Sequence, residues 1–223
     1  MKRLAWIVCV CVTCLPIAGY HAWGKETSKK KPKPPQTLIA KCGELVLQDD
    51  FDRDDPTPWT TDSGGLSCSD GKLILDARDM DQVYATTPFA HSDFVAEIML
   101  RCPQGFAFGL NQQGPHTNAN FSANASGVLL LQAGSVPTPE GAAPTLASKE
   151  YGQPINKPTC FVFEKAGNQI LLRAGKFVLP AKGEGLPDGQ GKLLRLFATC
   201  RRGSILEIDY IYIWSAEPKK RKQ

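Results

Sequence analysis

The chain has 223 residues, 42% of them hydrophobic, with eight cysteines and a formal charge of +4. That is enough for one sizeable domain with tails, and two full domains would be a squeeze. The positive charge does not argue for nucleic-acid binding, because the lysines concentrate in KETSKKKPKPP (25–35) and PKKRKQ (218–223), which read as solvated tails outside the fold.

Residues 1–24 have the layout of an export signal. Lys2 and Arg3 supply the positive start, Leu4 to Ile17 is an apolar run, and Ala22 and Gly24 place small residues at −3 and −1 before Lys25. The expected location is periplasmic or extracellular. Left uncleaved, the segment extended to Gly24 would be a membrane anchor, and only in that case does the chain have a membrane partner. Cys14 is not preceded by the Leu-Ala-Gly type of sequence that lipid attachment needs. Beyond the signal, Cys42, Cys68, Cys102, Cys160 and Cys200 could form up to two disulfides or pack as small apolar residues. No C-x-x-C among these five, and no His-x-x-x-His, announces a zinc or thioredoxin-like redox site.

Residues 25–37 form a Lys/Pro-rich linker, 38–216 the domain, and 217–223 a basic tail. Ala40 to Phe51 reads as the first strand, and it ends in an acidic knot, QDDFDRDD, where Asp49, Asp50, Asp52, Asp54 and Asp55 crowd around Arg53. Such crowding calls for cations, from Arg53 or from a metal ion. Ser67 to Ala77 carries Asp70-Gly71, a strong hairpin signal, because glycine accepts the positive φ such turns require. Strands follow at Gln82 to Pro88, at Ser92 to Arg101, at Gly105 to Leu110 and at Gly127 to Gln132. Two stretches read as long irregular loops: the amide-rich Asn111 to Ser126, and the proline-rich Gly134 to Thr159.

Order returns with Cys160 to Lys165, Gln169 to Arg173 and Phe177 to Leu179, separated by glycine turns. Lys192 to Cys200 and Ile205 to Trp214 form a closing pair across Arg201-Arg202-Gly203. In the last of these, simple alternation puts Leu206, Ile208, Tyr210 and Tyr212 on one side, and Ile205, Glu207, Asp209, Ile211 and Ile213 on the other. With both sides apolar, the strand should lie deep in a sheet, and Asp209 there needs a partner. About ten or more short strands and no long helical period predict an all-β, antiparallel two-sheet sandwich.

In this order the motifs LQDDFDRDDPTPWT, GLSCSDGKLIL, SDFVAEIMLR, GFAFGLN, CFVFEKAGNQILLRAGKFVL and EIDYIYIW resemble the concanavalin A-like (laminin G-like) jelly rolls. The nearest likeness is to small exported bacterial domains related to the 3-keto-disaccharide hydrolase group. The resemblance implies a curved sandwich whose concave face receives carbohydrate. The opening and closing strands also look like those of the laminarinase and lichenase branch. Carried over, that likeness implies a structural calcium ion held by Asp50 and Asp209, with a carbonyl near Asp70-Gly71; the alternative is that Asp209 accepts hydrogen bonds or pairs with Arg53 or Arg202. That branch's catalytic E-x-D-x-(x)-E strand is missing here. Glu97 with Asp93, and Glu207 with Asp209, read as solvated or structural carboxylates, and His21, His91 and His116 are isolated.

Two functions of different class remain. One is a non-catalytic binding or structural module for carbohydrate, with Trp59, Tyr84, Phe106, Phe108 and Phe121 as aromatic platforms and Asn111, Gln112, Asn118, Asn120 and Asn124 as amide partners. The other is a hydrolase of the 3-keto-disaccharide type, which the resemblance alone supports.

Overall fold

The computed structural model describes residues 31–104, 107–113, 117–124, 127–135, 145–152, 154–183, 186, 193–199 and 204–219. The export signal, residues 25–30 of the linker and the end of the basic tail lie outside these residues, as does Cys200.

Fourteen strands and no helix occur among the described residues. They are β1 (Ala40–Asp49), β2 (Leu66–Ser69), β3 (Lys72–Asp76), β4 (Gln82–Pro88), β5 (Phe94–Gln104), β6 (Ala107–Gln113), β7 (Thr117–Asn124), β8 (Val128–Ser135), β9 (Thr145–Glu150), β10 (Thr159–Ala166), β11 (Gln169–Ala174), β12 (Phe177–Lys182), β13 (Leu193–Thr199) and β14 (Ile205–Pro218). The larger sheet has eight strands in the order β12-β11-β10-β5-β14-β3-β2, with β1 also paired to β14; the smaller has six, in the order β4-β13-β6-β7-β8-β9. The pairings are antiparallel, and the two sheets face each other as a jelly-roll sandwich.

Alternation explains the interior. Phe121 of the smaller sheet meets Phe161 and Phe163 of the larger at ring-centroid distances of 5.9 and 5.4 Å, and Phe94 lies 5.6 Å from Phe163. All four rings are fully buried, and each contributes about 1.5–3 kcal/mol on leaving water. The hairpin at Asp70-Gly71 is present, with φ of 53° and 69° at its two central residues.

Three expectations need correction. Asn111 to Ser126 is not an irregular loop: β6 runs on to Gln113, and Thr117–Asn124 is an interior strand. Asparagine is a poor strand former taken alone, but Ala119, Phe121 and Ala123 alternate inward, and packing overrides propensity. Likewise β9 lies within the stretch expected to be irregular between Gly134 and Thr159. Finally, β13 and β14 are not a hairpin, since they belong to opposite sheets.

The closing strand departs from simple alternation as well. Ile208 pairs with Leu100 and Tyr210 with Met99, so Asp209 is an extra residue, a β-bulge. The bulge resets the alternation: Leu206, Ile208, Ile211 and Ile213 are all buried, whereas Glu207, Tyr210 and Tyr212 are partly exposed. It falls where one edge of β14 changes partner from β3, whose pairing ends with Leu73 opposite Ile208, to β1, whose Asp49 pairs with Ile211.

Candidate functional site

Strand register places one side chain from each of five strands of the smaller sheet in a row. Thr86 of β4 pairs with Arg195 of β13, which pairs with Asn111 of β6; Asn111 pairs with Asn120 of β7, and Asn120 with Gln132 of β8. Each is half-buried and flanked along its strand by inward residues such as Ala85, Leu194, Leu196, Leu110, Phe121 and Leu131, so the row lies on the outer face. Four strand spacings of about 4.8 Å give it a length of roughly 19 Å. The next row holds Tyr84, Phe197, Gly109, Ser122 and Leu130.

The aromatic and charged parts interlock. The Arg195 guanidinium sits 4.5 Å from the centroid of the Tyr84 ring, its diagonal neighbour across β4 and β13. The Phe197 ring lies over Gly109, where an added Cβ would come within 2.8 Å of the ring and 2.0 Å of the Phe121 carbonyl oxygen. Glycine at 109 therefore lets a flat ring rest on the sheet.

At the ends of this row Thr86 Oγ1 donates to the Thr60 carbonyl and Gln132 Nε2 to Thr145 Oγ1, but its three central residues carry unpartnered atoms. Asn111 Oδ1, Asn120 Oδ1 and Arg195 Nε are shielded from solvent with no hydrogen-bond partner. Each such atom costs about 1–3 kcal/mol, and an orphan of this kind calls for an explanation. A half-turn of either carboxamide about χ2 exchanges its oxygen and nitrogen, so each can turn donor or acceptor outward. Gln112 faces inward: fully buried, it donates from Nε2 to the carbonyls of His91 and Ser92 at 2.7 and 3.0 Å, while its Oε1 also has no partner.

Of the ligand contacts expected from sequence, Tyr84, Asn111 and Asn120 are thus brought together. Trp59 and Phe121 are interior, 2% and 0% exposed, and offer no face to a ligand; Trp59 Nε1 donates to Asp49 Oδ2 at 2.9 Å. Phe108 takes the register position between Ala198 and Ala123, Asn118 that between Gln113 and Gly134, and Asn124 pairs with Ala107. Their side chains, and Phe106 and His116 altogether, lie outside the described residues. Arg195 and Phe197 were missed, although LLRLFAT places them two apart on one face.

The carboxylates considered for catalysis sit on the larger sheet or at its rim. Asp93 accepts from Lys165 Nζ at 2.8 Å and from the Gly167 amide at 3.0 Å. Glu207 is held by Arg101 and Lys72, with Arg101 Nε at 2.8 Å and Lys72 Nζ at 3.1 Å. Burial pushes Glu207 up, but the bonds from these two cations outweigh it, and the carboxyl titrates below its ordinary value. Glu97 is pushed up by burial, against the Tyr210 hydroxyl that donates to it at 3.3 Å.

Asp50 follows β1, next to the pairing of Asp49 with Ile211, and Asp209 is the bulge residue of β14. The Tyr212 hydroxyl donates to Asp50 Oδ1, and Gln48 Nε2 to Oδ2 at 3.3 Å. Arg53 is engaged by Asp49 through two bonds of 2.7 Å. Among the described residues no three His, Cys, Asp or Glu side chains gather as a metal-holding group, so a calcium ion here would draw most of its oxygens from the backbone. Asp52 Oδ1 lies 3.4 Å from where a Cβ on Gly71 would sit, which brings the hairpin turn beside the acidic knot. Cys42, Cys68 and Cys160 are free thiols, and burial pushes the Cys102 thiol up to about 11.

No protein-family profile matches the sequence, and no curated protein does. Solved structures do match. The laminarinase from Rhodothermus marinus superposes with a TM-score of 0.62 at 14% identity, covering 79% of this chain and 98% of that one. Porphyranase B from Zobellia galactanivorans gives 0.60 at 11% identity, covering 84% and 97%. The kappa-carrageenase from Pseudoalteromonas carrageenovora, solved with an oligotetrasaccharide of kappa-carrageenan, gives 0.58 at 11%, covering 85% and 99%. At such identities the likeness establishes the architecture: this chain folds as a concanavalin A-like jelly roll.

Proposed function

We propose that this chain is an exported, non-catalytic carbohydrate-binding module that holds a glycan on the outer face of its smaller sheet. The observation that carries the reading is the row Thr86, Arg195, Asn111, Asn120 and Gln132 beside Tyr84 and Phe197. Aromatic rings suit the apolar faces of sugar rings, and the unpartnered amide oxygens of Asn111 and Asn120 suit their hydroxyls. The saccharide-active enzymes that share the fold support the carbohydrate part by analogy. The non-catalytic part rests on composition. A retaining glycosidase needs two carboxyl groups about 5–5.5 Å apart across the bond it breaks, and strands β4, β13, β6, β7 and β8 carry no Asp or Glu at all. The test is calorimetric titration of an oligosaccharide panel, run beside a hydrolysis assay on the same sugars. Binding without turnover is expected, weakened at least tenfold in Tyr84→Ala. Turnover by the chain would favour the hydrolase reading and reject this one.

The calcium ion at Asp50 and Asp209 belongs to the same proposal as a brace between the first and last strands. At a concentration ~100 times its Kd, calcium would add about 2.7 kcal/mol to the folded state. The expected result is a melting temperature several degrees higher in millimolar calcium than in chelator, with the difference abolished in Asp209→Asn. Equal melting temperatures in the parent chain would remove the ion and leave Asp50 to Tyr212.

A further inference from the structure

Strands β4, β13, β6, β7 and β8 contain one charged residue, Arg195, and it stands second in the polar row, between Thr86 and Asn111. We infer that the glycan held on this face is anionic, and that Arg195 captures its carboxylate or sulfate group. The inference rests on the binding reading above and names the class of ligand.

Most of the half-buried or buried cations elsewhere in the fold have counter-ions: Arg101 and Lys72 share Glu207, Arg53 has Asp49, and Lys165 has Asp93. Arg173 on β11 has no ion pair with a described residue but gives its Nη2 to the Gln36 carbonyl. Arg195 forms no ion pair with a described residue; its neighbours are the Tyr84 ring below it and the uncharged Thr86 and Asn111 on either side. A guanidinium that is partly withdrawn from water with an unpaired Nε gives up hydration without a compensating anion, a cost of at least one unmade charged hydrogen bond. The Tyr84 ring engages the guanidinium through a cation–π contact but supplies no acceptor. A planar, always-charged fork held in one orientation is suited to a two-oxygen anion that bonds it bidentately. Asn111 and Asn120, next in the row, are placed to hold hydroxyls of the same sugar chain. These five strands carry no acidic residue to repel such a ligand; Glu150 of the same sheet lies on the edge strand β9, four strands from Arg195.

The basic runs at 25–35 and 218–223 would also attract polyanions, so the test must separate them from Arg195. The full chain is subjected to affinity electrophoresis in gels containing polygalacturonate, the same polymer after carboxyl reduction, a sulfated galactan, or its desulfated form. Arg195→Gln, which keeps both basic runs, is run alongside. The expected result is at least tenfold stronger retardation by one anionic polymer than by its neutral twin, and which pair shows it tells carboxylate from sulfate. Arg195→Gln should erase that preference while still binding the neutral twin, and Asn120→Leu should weaken both twins alike. Equal retardation by the members of both pairs would overturn the anionic assignment and leave the carbohydrate reading standing. A preference that survives in Arg195→Gln would assign it to the basic runs and overturn the role of Arg195. No retardation by any of these polymers, with no binding in the oligosaccharide panel, would overturn both readings.

Discussion

The two outer faces of the sandwich are built from the same alternation, yet they use their polar groups in opposite ways. On the larger sheet, buried Glu164 accepts the backbone amides of Leu38, Ile39 and Ala40 at 2.9–3.1 Å, pinning the N-terminal segment across β10. Glu207 is shared by Arg101 and Lys72, and Tyr210 donates to Glu97. Beneath the pinned segment, Ala40, Val95, Val162 and Ala166 form a small second core. Arg173 Nε is the exception there, although its Nη2 donates to the Gln36 carbonyl at 2.5 Å. On the smaller sheet, the row through Arg195, Asn111 and Asn120 leaves its groups uncommitted. A polar residue on a sheet is therefore informative less by its type than by whether its neighbours already use it. Groups that bond one another hold the fold, and groups left over are available to a ligand.

The sharpest way to break this contrast is at Glu164. Its replacement by Ala strands three backbone amides and should cost about 3 kcal/mol, lowering the melting temperature by about 6–12 °C. A drop under about 2 °C would mean that the segment is not held by this carboxylate. Glu207→Gln should come next, at about 1 kcal/mol near neutral pH, because Arg101 and Lys72 are 35% and 30% exposed and water screens them. A carboxyl held below its ordinary value contributes stability above its unfolded pKa and loses it as pH falls through the lower folded one. Melts of parent and variant should thus converge in acid, below pH ~4; a gap of constant size would point to packing instead. The smallest effect is expected at Asn111→Ala and Asn120→Ala, within about 0.5 kcal/mol of the parent, since neither side-chain oxygen has a bond to lose. A loss above ~1.5 kcal/mol at either position would make the row structural and erase the distinction between the faces.

The sequence shows the all-β class plainly, because the signals are local: the period-two runs, the Asp70-Gly71 turn and the absence of a helical period. It misleads where a local signal conflicts with a distant partner. The run from Thr117 to Asn124 reads as a loop because asparagine favours turns, and only Phe161 and Phe163, some 40 residues on, explain why Phe121 is drawn inward. Asp209 shifts the face of every later residue in its strand, and no one-residue insertion is visible before the pairing with Leu100 and Met99 is known. The candidate site was half legible. Tyr84, Asn111 and Asn120 stand out by type, but their common row with Arg195 is a matter of register across strands far apart in the chain.

The place of β14 governs when this molecule can fold. It is the last strand, yet it lies inside the larger sheet, bordered on one side by β5 and on the other by β3 and then β1. A nascent chain lacking residues 205–218 has nothing to join the opening strands to β5, and those strands keep open edges. The contacts that complete the sheet also span most of the sequence, from Ala40 to Pro218, so closing them is slow by the measure of contact order. The larger sheet must therefore remain unfinished until residues 205–218 have been made. A chain held open in this way keeps the edges of its opening strands exposed to other partners until then.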